Sequence, residues 1–235
     1  MMIKKNILMT ITLFLSLLLN AQEKTSITIV AGEDVNKVLS TSCFLFYDYQ
    51  DATFYSKKGM GKVKMNYNML TGDMMFINEG DTLALSNPQD IISITIGKQE
   101  FIYKSKNYLE ILQEIDNKML LVQRRIKPTV VKQTGAYGVT TASASIHNAS
   151  GLQTTTSVYG DSKLNTTKQV VYEVVYTFYL QINNSLYTGA TEKNFQKIFG
   201  ANQKERISNY IKENKLNLKK EEDIIQLFNF CAGKD

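Results

Sequence analysis

The single histidine of this 235-residue chain, His147, limits the chemistry that its residues could perform. A Ser-His-Asp or Cys-His arrangement would have to use that imidazole as its base. Ser145 and Ser150 flank His147 and Asp161 follows, but no strand-turn-helix pattern frames them, which marks a loop histidine. A zinc centre takes three or four Cys, His or carboxylate ligands. One histidine with two distant cysteines, Cys43 and Cys231, falls short of that set. No GxGxxG, no GxxxxGK followed by Ser or Thr, and no GxSxG occurs. The sequence thus nominates no catalytic residue, no metal ligand set and no cofactor.

Carboxylates remain as possible acids and bases. Asp48, Asp51, Glu79, Asp81, Asp90, Glu100, Glu110 and Glu114 could supply a pair of the kind glycosidases use. Their scatter fits a solvated surface better. Phe44, Phe46, Tyr47, Tyr49, Phe54 and Tyr55 form the densest aromatic group. Aromatic platforms recognise sugars and apolar ligands, although a segment feeding rings into a core is the commoner explanation of such a group. Arg124, Arg125 and Lys127 read as a solvated strand end.

The N-terminus carries the clearest instruction. Lys4 and Lys5 form a basic head, Ile7 to Leu19 is an apolar run broken by Thr10, Thr12 and Ser16, and Ala21 offers a small residue before Gln22. A translocon and signal peptidase read that order, predicting cleavage between Ala21 and Gln22. The apolar run is shorter than the roughly 20 residues that a membrane-spanning helix needs. The first cysteine, Cys43, lies too deep to be a lipid-anchor site. The expected location is periplasmic or extracellular, with no transmembrane span once the signal is removed.

Export also bears on the cysteines. Two of them in an oxidising compartment permit one intramolecular bond, Cys43–Cys231. Buried thiols behaving as small hydrophobes fit both sites as well, since Cys43 precedes Phe44-Leu45-Phe46 and Cys231 falls on an apolar helix face. The net charge of +5 is mild, and cleavage would lower it by removing Lys4 and Lys5. Charges interleave, as in Lys219-Lys220-Glu221-Glu222-Asp223, so no basic stripe suggests nucleic acid.

The elements that would position these residues are short strands followed by helices. In Lys62 to Met69 apolar and polar residues alternate, which turns Val63, Met65, Tyr67 and Met69 to a core and the two lysines, Asn66 and Asn68 to water. Ile92, Ile94 and Ile96 alternate similarly, and Glu79-Gly80-Asp81 suits a hairpin turn. Turns every 8 to 12 residues or so favour an antiparallel meander, as a barrel or sandwich. Residues 134–168 are rich in Gly, Ser and Thr and predict a flexible polar insertion. Val170 to Ile182 then reads as a long strand.

Three short helices close the chain. Thr191 caps the first, which carries Phe195, Ile198 and Phe199. Asn202 with Glu205 resembles a capping box for the second. Ile224, Leu227, Phe228 and Cys231 share a face of the third. Such short helices need a sheet to pack against. An outer-membrane barrel fits poorly, because most strands are shorter than the roughly 9 to 11 residues required.

Two segments carry a resemblance. Asn66 to Ile96 (NYNMLTGDMMFINEGDTLALSNPQDIISITI) and Lys193 to Cys231 (KNFQKIFGANQKERISNYIKENKLNLKKEEDIIQLFNFC) resemble small exported proteins of Bacteroidota. The Leu19-Asn20-Ala21-Gln22 boundary suits that group too. The resemblance implies a common fold and contributes no active site.

The sequence therefore predicts an α+β protein in four parts. Residues 1–21 are a signal peptide, 22–133 an antiparallel β region, 134–168 the insertion and 169–235 a strand with a helical cap. The function expected is that of an exported binding module for a protein, glycan or envelope component, with a carboxylate-pair hydrolase of envelope or extracellular polymers as the alternative. N-terminal sequencing of the protein from its native envelope should begin at Gln22, within a residue or two. A start at Met1 in correctly localised protein would overturn the export reading.

Overall fold

A computed structural model describes residues 26–30, 33–134, 140–143, 169–183, 185 and 187–233. The expected signal peptide and its cleavage site lie outside the described residues, as do His147 and most of 134–168. The strands are β1 (Ser26–Ile29), β2 (Gln50–Ser56), β3 (Gly59–Asn68), β4 (Asp73–Asn78), β5 (Asp81–Ala84), β6 (Ile91–Ile96), β7 (Gln99–Lys104), β8 (Asn107–Ile115), β9 (Lys118–Thr134), β10 (Thr140–Ser143), β11 (Gln169–Ile182) and β12 (Thr188–Gly189). Helix α1 (Val35–Ser42) follows β1, and α2 (Glu192–Phe199), α3 (Lys204–Glu213) and α4 (Glu221–Ala232) close the chain.

All the strands join one antiparallel sheet in the order β1-β11-β9-β8-β7-β6-β2-β3-β4-β5, with β10 added on β9 and β12 on β11. Two consecutive meanders, β2 to β5 and β6 to β9, thus lie back to back, joined where β2 pairs β6. Tight turns set these registers. Glu79 and Gly80 take φ of 51° and 93°, and Ser105 and Lys106 take 48° and 64°, the left-handed pairs that two-residue hairpins require.

The ladder is open, with β1 and β5 at its ends, yet the sheet curls strongly. The Ile126 N–H of β9 donates to the Met69 carbonyl just past β3, at 2.9 Å. Nearby Gly72 takes φ 82° in the β3–β4 turn, the left-handed region that favours glycine, beside the Arg125 guanidinium.

Curling creates two apolar clusters. The first gathers Ile27 and Ile29 of β1, Met65 and Tyr67 of β3, Met74 of β4, Ile94 and Ile96 of β6, Phe101 of β7 and Tyr172 of β11. The second lies under the helices, where Leu120, Val122, Phe178 and Leu180 of the sheet meet Phe195, Ile207, Ile224, Leu227 and Phe228. Each such side chain contributes about 1.5–3 kcal/mol by leaving water. The helices need this, being only 8 to 12 residues long.

Several details depart from the sequence reading. Asn66 and Asn68 do not face water; they are 1% and 2% exposed. The segment after α1 runs along β3, and the Asn66 amide grips its backbone, accepting from Phe46 N at 3.1 Å and donating to Phe46 O at 2.9 Å. Asn68 Oδ1 accepts from the backbone N–H groups of Leu70 and Thr71, closing the β3–β4 turn. Ile92 is 61% exposed because the β2–β6 register slips beside it. Thr191 caps α2 as expected, accepting from Asn194 N, but Asn202 does not cap α3; a 3-10 turn over Ala201–Gln203 leads in instead. Within the stretch read as an insertion, Thr140–Ser143 form β10 against the end of β9. Helix α1 gave no recognised signal.

Cys43 and Cys231 are both buried and are not joined by a disulfide. Cys43 belongs to the first cluster and Cys231 to the second, so the bond that export would permit does not span them. Burial pushes the Cys43 thiol up to about 11 from an ordinary 9.0.

Three outcomes follow from this packing. Asn66→Ala leaves the Phe46 N–H and carbonyl without their partner and should cost about 1–3 kcal/mol in denaturant melts. Loss of less than about 0.5 kcal/mol would show that water replaces the amide freely. Both thiols should resist alkylation in the folded protein and react fully after unfolding without reductant. Because the folded Cys43 pKa is raised, its contribution is intact below the unfolded value and declines as pH rises towards about 11. Stability should therefore fall more steeply above pH 9 or so in the wild type than in Cys43→Ala.

Candidate functional site

Alternation on three neighbouring strands builds an open groove of about 510 Å3, lined by Asp51, Ala52, Thr53, Lys62, Val63, Lys64, Thr95 and Gly97. β2 lies between β3 and β6, so Thr53 sits opposite both Lys62 and Thr95, and Asp51 opposite Lys64. Asp51, Thr53, Lys62, Lys64 and Thr95 occupy one face by the two-residue period of a strand. The intervening Ala52, Met65, Ile94 and Ile96 turn the other way into the first cluster. The groove floor is therefore backed by close-packed side chains.

The groove's polar side chains make no bonds with the described residues and face water. Among the described residues, the side chains of Asp51, Thr53, Lys62, Lys64 and Thr95 have no hydrogen-bond or ion-pair partner. The same face continues to Tyr55, opposite Met60, and these are 46% and 60% exposed. Lys98 follows Gly97 in the β6–β7 turn, and Glu100 stands opposite Thr95.

A second polar constellation lies inside the fold. Arg124 on β9 is 5% exposed and bonds the buried Glu110 of β8 through Nη1. Its Nη2 donates to Glu221 Oε2, in the first turn of α4, at 2.8 Å. The guanidinium also lies 5.6 Å from the Tyr176 ring. A narrow crevice beside it is lined by Tyr67, Phe101, Tyr108, Glu110 and Val122. Burial raises the Tyr67 and Tyr108 phenol pKa values above the ordinary 10.0.

This constellation is the one place where two carboxylates share a partner among the described ion pairs, and it suits cohesion rather than acid–base chemistry. Both acids are bound to one guanidinium between two apolar clusters, and neither Glu110 nor Glu221 lines the groove. The reading of Arg124 as a solvated strand residue is therefore corrected. Its even-numbered neighbours Leu120, Val122 and Ile126 are all buried, and that period was the available signal.

The other nominated residues disperse. Asp48, Asp51, Glu79, Asp81, Glu100 and Glu114 are exposed, and Asp90 pairs with Lys57 at 3.6 Å. Among the described residues no three His, Cys, Asp or Glu side chains converge as a metal site would require. The aromatic group divides. Phe44, Phe46 and Phe54 pack on the first cluster, whereas Tyr47 is fully exposed, at 100%. Lys62 and Lys64, taken in the sequence only as the wet face of a strand, become the groove's cations.

Arg124→Met should cost about 3–5 kcal/mol, because it strands Glu110 as a buried, unpaired charge. Pairing it with Glu110→Leu should recover much of that loss, since the uncompensated carboxylate goes too. Equal stability of the single and double variants would show that packing, not charge, governs the position.

Comparison of the chain with protein-family models, with curated proteins and with solved structures finds no match.

Proposed function

We propose that this protein is an exported, non-enzymatic binding module that holds a glycan, protein or other envelope component in the groove of β2, β3 and β6. The observation that carries the reading is a row of unpartnered Asp51, Thr53, Lys62, Lys64 and Thr95 on a rigidly backed surface. Strand register fixes the bases of these side chains in a row, and their exposed tips offer a ligand donors and acceptors. Export follows from the basic head, apolar run and small residue of the first 21 positions. Among the described residues no helix is long and apolar enough to cross a membrane.

The hydrolase alternative draws no support from the groove. A pair of catalytic carboxyls stands roughly 5 to 10 Å apart across its substrate. Asp51 is the one carboxylate lining the groove, Glu100 on β7 stands beside it with β6 between the two, and Arg124 engages Glu110 and Glu221 elsewhere.

The test is capture from an envelope extract on immobilised mature protein, beside Lys62→Glu/Lys64→Glu protein of matched stability. Material retained by the wild type and lost from the variant supports the groove as the binding surface. Identical retention by both, or none by either, overturns it.

A further inference from the structure

We infer that the groove takes an anionic saccharide chain, its carboxylates met by Lys62 and Lys64 and its hydroxyls by Asp51, Thr53 and Thr95. This rests on the binding reading above and names the ligand class for the same groove.

The chemistry follows from what the lining offers. Lys62 and Lys64 stand two residues apart on one strand face, so two ammonium groups emerge about 6.6 Å apart at their bases. That spacing suits charges repeated along a polymer rather than one compact ion. Lysine is also a point charge, adaptable to carboxylates of varied orientation, where a fixed bidentate anion would call for arginine. Thr53 and Thr95 present hydroxyls that both donate and accept, and Asp51 accepts only. Groups of this kind match vicinal hydroxyls better than an apolar or purely anionic surface does.

Beyond the charged stretch, Tyr55 and Met60 give an exposed apolar step on the same face. A tyrosine ring there can lie against the flat, C–H-rich side of a sugar while its hydroxyl stays wet. The groove lining and the Tyr55–Met60 step lie in line on β2 and β3, so a chain running along these strands meets both. Asp51 and Glu100 keep the surface from being purely cationic, which sets it against a ligand recognised by charge alone. A peptide would more naturally add to the edge strands β1 or β5 through its backbone, where no groove residue lies.

Calorimetric titration of the mature protein tests the assignment with three probes. Oligogalacturonate carries carboxylates on a hydroxyl-rich chain, its methyl ester keeps the chain without the charge, and inorganic polyphosphate keeps the charge without the sugar. Oligogalacturonate should bind at least about tenfold more tightly than either comparator, a difference of about 1.4 kcal/mol. Binding should weaken as salt rises, as solvent-exposed charge contacts do. Lys62→Gln/Lys64→Gln and Tyr55→Ala should each reduce affinity by about tenfold or more. Lys219→Gln, on the helical cap, should leave it unchanged. Equal binding of the methyl ester or of polyphosphate overturns the assignment, as does indifference to the lysine pair. Absence of binding by all three probes also overturns it. If the envelope capture still depends on Lys62 and Lys64, the binding reading survives with a different ligand; if capture fails too, both fall.

Discussion

Arg124 is the side chain on which the two halves of the molecule meet. It leaves water to lie between a sheet-lined cluster and a helix-lined cluster, with Glu110 bonded to one side of its guanidinium and Glu221 to the other. Burying a guanidinium costs several kcal/mol unless its donors are filled, so this position constrains what surrounds it. Glu110 must sit beside it on β8, and α4 must begin where Glu221 can reach. Glu221 belongs to the first turn of α4, where a carboxylate is also favoured by the helix dipole. Apolar burial supplies the attraction between cap and sheet; the ion network fixes where the cap docks.

The same curl that encloses Arg124 shapes the opposite face. Inserting β2 between β3 and β6 brings residues near 50, 60 and 95 into one row, although the β4–β5 hairpin separates two of those strands in sequence. Strand alternation then divides each strand between two tasks. Ala52, Met65, Ile94 and Ile96 fill the interior, and Asp51, Lys62, Lys64 and Thr95 are left outside. Changing a groove side chain need not disturb the core, so the outer face can be altered at little cost in stability.

Local patterns made much of this legible. The alternation of Val63, Met65, Tyr67 and Met69 identified β3, and Val170 to Ile182 anticipated β11 to within a residue. Ile224, Leu227, Phe228 and Cys231 gave the buried face of α4, and all four are in the core. What stayed hidden depended on partners distant in sequence. Asn66 looked wet because Lys62 and Lys64 on the same face are wet; only the return of the Phe46 segment covers it. Arg124 looked wet because it stands beside Arg125, and its partners come from β8 and from a helix 97 residues away. The groove is invisible for the same reason, since β6 comes beside the β2–β3 hairpin only through the crossover.

These cases share a physical cause. Apolar residues announce burial by type and period, because water rejects them wherever the chain goes. Polar residues announce nothing, because their burial depends on a partner that satisfies them. Asn66 and Arg124 found partners inside the fold and became structural; Lys62, Lys64 and Asp51 found none there and stay in water. Residue type alone does not distinguish these roles. What separates them is whether the fold itself completes their hydrogen bonds, as it does for Asn66 and Arg124 and does not for Lys62, Lys64 and Asp51.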